Sequence, residues 1–200
     1  MKNREILIQL IMKLRGAGII NNTLLSIIEK NPPHYYMKLI EEKYEIKPSF
    51  YYELINLIKM FDYCLKRNSK INNFLFGNVK NGWGVLLASQ LSKRVYVLCS
   101  SSKQKNKLEK VYTSHNFKNI FLTVGDCISG WKRVAPFDVI FSLNKINNNP
   151  VSLISNLSNN GILFIPFNKN KFTNYIKVDK FASMTETSID FDSINSSMIL

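Results

Sequence analysis

The chain has 200 residues, 46% of them hydrophobic and 12% aromatic, which is enough for a full core and excludes a disordered chain. Its formal net charge of +13 raises nucleic acid or an anionic surface as a partner, although the lysines are scattered and form no run. Three spread cysteines (Cys64, Cys99, Cys127) and two isolated histidines (His34, His115) match neither a disulfide framework nor a metal site, so no metal is expected and a reducing compartment suits the chain.

The N-terminal "MKNREILIQLIMKLRGAG" starts basic and turns apolar, but Gln9 breaks the apolar part and Lys13 and Arg15 end it, which argues against a signal peptide. Ile6, Leu7, Leu10, Ile11 and Leu14 recur at helical spacing and predict an amphipathic helix. "NNTLLSIIEKNPP" reads as a second helix, capped by Asn22 or Thr23 and stopped by Pro32-Pro33. "HYYMKLIEEKYEI" is ambiguous. "SFYYELINLIKMFDYCLK" places Tyr51, Leu54, Ile55, Ile58, Phe61 and Leu65 on one face, with Ser49 as cap. The polar "RNSKINN" closes this helical segment, residues 1–70. No apolar run approaches the roughly 18 residues of a membrane span, so a cytoplasmic protein is expected.

Across residues 71–200 short apolar strands alternate with helices. The strands are "FLF" (74–76), "RVYVLC" (94–99), "NIFLTV" (119–124), "DVIFSL" (138–143) and "GILFIPF" (161–167), with weaker candidates in "NYIKV" and "SSMIL". Helix-like "GVLLASQLS", "SKQKNKLEKVYTSH" and "PVSLISNLS" separate them. Near-continuous apolar strands are buried on both faces, and this alternation predicts an α/β fold with a doubly wound, mainly parallel, Rossmann-like sheet. Residues 73–170 hold 12 basic and only 3 acidic residues (Glu109, Asp126, Asp138), so the positive excess lies on this domain.

"VGDCISGWKRVAPFDVIFSL" (124–143) resembles the "GDG-x-x-GW-x-x-x-APFD-x-I" segment of protein-L-isoaspartate O-methyltransferases, through Gly125-Asp126, Gly130-Trp131 and Ala135-Pro136-Phe137-Asp138. "LISNLSNNGILFIP", "GWGVLLASQL" and the N-terminal "LRGAGIINNTLLSIIEKNPPHYY" are similar to further family segments, so the resemblance runs from about residue 10 to 167. It implies a methyltransferase fold, S-adenosylmethionine as methyl donor, and isoaspartyl carboxylates of proteins or peptides as acceptors. Membership of a family does not by itself establish its chemistry, so each site position is weighed separately.

The family's loop after the first strand reads acid, apolar, Gly, x, Gly, x, Gly. The matching positions here are Phe76, Gly77, Asn78, Val79, Lys80, Asn81 and Gly82, so the acid and two glycines are replaced. Glycine suits a tight turn that approaches a ligand with no Cβ in the way. Lys80 brings a cation toward a cofactor whose sulfonium is also positive. A strand and helix with packing roles only is therefore the competing reading of this loop.

At the end of the second strand, where the resemblance implies an acid for the ribose hydroxyls, stands Cys99, followed by Ser100 and Ser101. Asp126 keeps the family's position near the adenine, though an Asp after a strand also serves turns. Cys127 takes the place of the next glycine. The candidate cofactor-binding residues are thus Gly77, Asn78, Lys80, Gly82, Cys99, Asp126 and Cys127. Asp138 and Trp131 read as structural. The acceptor side lacks the family's "S-A-P-H" turn, Ser49 is too far from Gly77, and no catalytic residue is assigned.

The expectation is a divergent isoaspartyl methyltransferase with weak or lost activity, a pseudoenzyme in the extreme. Alternatives are an active enzyme with a rebuilt cofactor loop, or a non-catalytic protein that binds nucleic acid or an acidic partner through its basic surface.

Overall fold

Among the described residues, helical periodicity in the first third of the chain gives four helices: α1 (Lys2–Gly16), α2 (Asn22–Lys30), α3 (Pro33–Ile40) and α4 (Phe50–Arg67). The computed structural model describes residues 2–40, 50–77, 79, 82–142, 150–169, 172–179 and 187–189. Leu10 and Leu14 of α1 are fully buried, and Ile6, Leu7 and Ile11 pack beside them. The cap of α2 lies one residue before the expected pair. Asn21 has extended backbone, and its side chain accepts from the Leu24 amide at 3.1 Å. Pro33 opens α3, because proline's missing N–H costs nothing in a first turn. The expected Ser49 cap lies outside the described residues.

Among the described residues seven strands form one sheet: β1 (Ile71–Gly77), β2 (Ser92–Cys99), β3 (Ile120–Val124), β4 (Phe137–Ser142), β5 (Leu157–Lys169), β6 (Phe172–Asp179) and β7 (Thr187–Ile189). The order is β3-β2-β1-β4-β5-β6-β7. The first five strands are parallel, while β6 runs antiparallel to β5 and β7 to β6. The crossovers carry α5 (Trp83–Leu91), α6 (Ser102–Ser114), a 3₁₀ turn (Lys132–Val134) and the short α7 (Val151–Ser155). This is a doubly wound, mainly parallel α/β fold with a helical N-terminal segment.

β1 starts three residues before its apolar core, inside the polar "RNSKINN" stretch. Its polar start is held from the side: Asp138 accepts from the amides of Asn72 (2.7 Å) and Asn73 (3.0 Å), and from Ser158 Oγ at 2.9 Å. The aspartate of "APFD" therefore ties β1, β4 and β5 together, a structural role. "SSMIL" lies outside the described residues.

The two sheet faces are covered unequally. One core cluster joins buried residues of α1 to α6, including Leu10, Ile58, Trp83 and Tyr112, to Phe74, Phe76, Val95, Val97, Val139, Phe141 and Phe164. Phe74 and Phe76 stack at 4.8 Å, and Phe141 meets both edge-on at 4.8 and 5.4 Å. On the other face, Leu75, Leu98, Ile140 and Leu163 lie under α7 and the loop after β3, through Leu153, Cys127, Trp131 and Val134. A 3₁₀ turn stands where a full crossover helix would cover β3, so this face is thinly roofed at that edge.

Candidate functional site

Strand order reverses between β1 and β4, and the crevice at the carboxyl ends of these strands is where doubly wound folds place ligands. Here β1 ends at Gly77, paired with Ser142 at the end of β4. β2 ends at Cys99, and Asp126 and Cys127 follow β3. The fold thus brings Gly77, Cys99, Asp126 and Cys127 to one end of the sheet, with Gly82 opening α5. Asn78 and Lys80 lie outside the described residues.

Gly77 is needed for close approach. A Cβ there would stand 3.1 Å from Cys127 Cβ and 3.6 Å from Ser142 Oγ. Ser142 Oγ is buried and has no hydrogen-bond partner among the described residues. Gly82 is more constrained, with φ +71°. An added Cβ would lie 2.6 Å from Tyr112 Oη, 2.7 Å from Leu108 Cδ2 and 2.9 Å from Ile40 Cδ1. Tyr112 is fully interior, and its hydroxyl donates to Gly82 O at 3.0 Å, fixing the start of α5.

The position expected to carry the loop acid, Phe76, is 1% exposed and belongs to the aromatic core. Val79 is buried in the same cluster, so an apolar side chain, rather than a bare glycine turn, packs beneath the loop. Cys99 is fully buried. Burial, with Cys127 nearby as a smaller cause, pushes its thiol up to about 11, so it is neutral at physiological pH and a poor acceptor for two hydroxyls. Cys127 is also buried, with Sγ 3.8 Å from Leu98 O.

Asp126 is exposed, and its carboxylate folds back onto its own loop. It accepts from Ile128 N at 3.0 Å, and from Ser129 N and Oγ at 3.2 and 2.6 Å. The Ser129 hydroxyl, then the Ile128 amide, hold its pKa below the usual carboxylate value. These bonds occupy much of the carboxylate in a turn.

Gln104 joins the site although the family resemblance assigns no role to its position. Ser100 donates to Gln104 Oε1 through its amide (2.8 Å) and its hydroxyl (3.1 Å), while Gln104 Nε2 donates to Val79 O. One side chain therefore straps the end of β2 to the β1–α5 loop. The signal was present in "SSKQ". Ser101 caps α6 by accepting from Gln104 N, and a Gln three residues after a capping Ser is the capping-box pattern, although here its side chain reaches one residue past the cap, to Ser100. Nothing comparable in sequence points to Ser142.

As a test of fit to S-adenosylmethionine, the backbone frame of a doubly wound site is kept. The polar acceptors are not: Phe76 and Cys99 offer none, and Gln104 spends its amide inside the protein. Among the described residues no group of three potential metal ligands occurs, and no helix is long and apolar enough to cross a membrane.

The family model for protein-L-isoaspartate(D-aspartate) O-methyltransferase matches residues 92–193. The protein-L-isoaspartate O-methyltransferase of Maricaulis maris is 23% identical over 170 residues, covering 82% of this chain and 79% of that protein. The Dictyoglomus turgidum protein of the same name is 25% identical over 178 residues, covering 84% and 79%. A solved protein-L-isoaspartate O-methyltransferase superposes with a TM-score of 0.70 at 14% identity, covering 87% of this chain and 60% of that one. A Plasmodium falciparum protein described as the same enzyme, in complex with S-adenosyl-L-homocysteine, superposes with a TM-score of 0.65 at 14% identity, covering 86% and 89%. With a family model over half its length and the same doubly wound frame, the chain belongs to the protein-L-isoaspartate O-methyltransferase family.

Proposed function

We propose that this chain is an isoaspartyl methyltransferase-type protein in which cofactor affinity, and with it methyl transfer to isoaspartyl carboxylates, is weakened or lost. S-adenosylmethionine is the cofactor of this reading, since a relative of the same fold is described with its demethylated product. The observation that carries the weakening is the end of β2. Where a ribose would find an acid, Cys99 is buried and neutral, and Gln104 bonds Ser100 to Val79 across the neighbouring loop. Gly77, Gly82, Asp126 and Cys127 would frame what cofactor binding remains, together with Asn78 and Lys80. An orphaned hydroxyl pair costs binding, because groups desolvated without partners are not repaid. Helical segment 1–70 and sheet domain 71–200 act as one unit on this reading, since a single core cluster runs from Leu10 to Phe164.

Calorimetric titration with S-adenosylmethionine and S-adenosylhomocysteine tests this, followed by methyl transfer to an isoaspartyl peptide. Dissociation constants of about 1 mM or weaker, a binding free energy no more favourable than roughly −4 kcal/mol, are expected. Micromolar binding with turnover of the peptide would overturn the weakening and make this an active enzyme with a rebuilt loop.

A further inference from the structure

The thinly roofed edge of the sheet carries an aromatic step. Phe121, on the outermost strand β3, is 43% exposed. One face of its ring stacks on Tyr96 of β2, with centroids 5.4 Å apart and planes 26° from parallel. Tyr96 is fixed in turn by Trp131 and Phe137, both edge-on at 5.5 and 5.6 Å. One face of the Phe121 ring is therefore covered and oriented by the stack, and its exposed area lies away from Tyr96. Ile128, 45% exposed in the loop after β3, adds apolar surface beyond the end of the strand, whereas Val124, three residues from Phe121, belongs to the opposite sheet face. Beside the step lies a cleft of about 400 Å³, lined by Tyr96, Tyr112, Phe117, Phe121, Trp131 and Val134 among others.

Exposed cations flank this surface. Arg94 lies two residues before Tyr96 on β2, hence on the same sheet face, and Lys132 and Arg133 follow Trp131 in the 3₁₀ turn. None of the three has an ion-pair partner among the described residues. The three acids of residues 73–170 are engaged elsewhere. Glu109, which also lines the cleft, stands 3.9 Å from Lys105 Nζ; Asp126 binds its own turn; Asp138 ties β1, β4 and β5. The local field is therefore positive.

We propose that this edge is a binding platform for single-stranded nucleic acid, with a base stacked on the outer face of Phe121 and phosphates on Arg94, Lys132 and Arg133. A rigid exposed ring among unpaired cations is what sequence-tolerant single-strand binding requires. An acidic peptide would satisfy the cations but has no use for a flat, preorganised ring, so nucleic acid is the occupant the surface favours. The platform does not depend on methyl transfer.

The test is fluorescence anisotropy of the full chain with labelled oligouridine and oligothymidine of about twelve nucleotides. Saturable binding is expected at low salt, with log K falling against log salt at a slope of about −2, from three phosphates at roughly −0.7 each. Phe121→Ala should weaken binding on the order of tenfold without changing the slope, and Phe121→Tyr should restore it. Phe121→Leu keeps an apolar side chain and should also lose the stack, which guards against misfolding of the alanine variant. Lys132→Ala with Arg133→Ala should flatten the slope. Absence of measurable binding at low salt up to about 100 µM protein, the weak end of the usual range for non-specific binding, would overturn the proposal. So would binding that Phe121→Ala and Phe121→Leu leave unchanged, an equal affinity for a duplex, or equal competition by polyglutamate, the last pointing to an acidic protein partner instead.

Discussion

Replacing Gln104 by alanine removes the strap between β2 and the β1–α5 loop. Three hydrogen bonds go with it, but they are not equal. Those from Ser100 N and Oγ are at an exposed residue, where water takes over the donors at small net cost. Val79 is 4% exposed, and losing the Nε2 donor leaves its carbonyl short of a partner in a crowded place. An unmade buried bond costs about 1–3 kcal/mol, so a loss of about 2 kcal/mol is expected. For a chain of this size each kcal/mol moves the melting temperature by roughly 2–4 °C, which gives a fall of about 4–8 °C. Urea denaturation and thermal melting of Gln104→Ala and Gln104→Glu measure it. Glu keeps an acceptor for Ser100 but cannot donate to Val79, so it should lose nearly as much as Ala. If Gln104→Ala melts within about 1 °C of the parent, the strap contributes nothing, and the account of the β2 end fails with it.

Gly82→Ala should be far more damaging than a surface change. It places a Cβ at φ +71° and 2.6–2.9 Å from Tyr112, Leu108 and Ile40, and strain plus overpacking should together cost about 3 kcal/mol or more in chemical denaturation. Tyr112→Phe removes only the bond to Gly82 O and should cost about 1–2 kcal/mol. A loss in the alanine variant no larger than in the phenylalanine one would refute this packing. Asp126 has its folded pKa below the ordinary 3.8, so its contribution is present above about pH 4 and is lost as pH falls through the lowered value. The melting temperature of the parent should therefore fall toward that of Asp126→Asn below pH 4, and a constant gap between them down to strongly acid pH would contradict the assignment.

Much of the frame was legible because it rests on local periodicity. Leu10 and Leu14 at helical spacing, and five runs of continuous apolar residues, state which surfaces must be buried before any neighbour is known. Motif spacing carried the family, since "GW" and "APFD" hold their positions through packing: Trp131 against Tyr96, and Asp138 across three strands. Where the reading missed, the cause was tertiary. β1 extends into a polar stretch because Asp138, distant in sequence, accepts its amides.

At the candidate site the sequence could list substitutions but not weigh them. The amino-acid chain by itself determined an α/β domain and showed that Phe76, Asn78, Lys80 and Cys99 depart from the residues the family resemblance would place there. Only the tertiary structure decided that Cys99 is sealed from solvent, that Asp126 turns onto Ser129, and that Gln104 joins two loops. Periodicity reports how much surface a segment buries, whereas the pairing of a side chain depends on which distant atoms the fold delivers within about 3 Å of it.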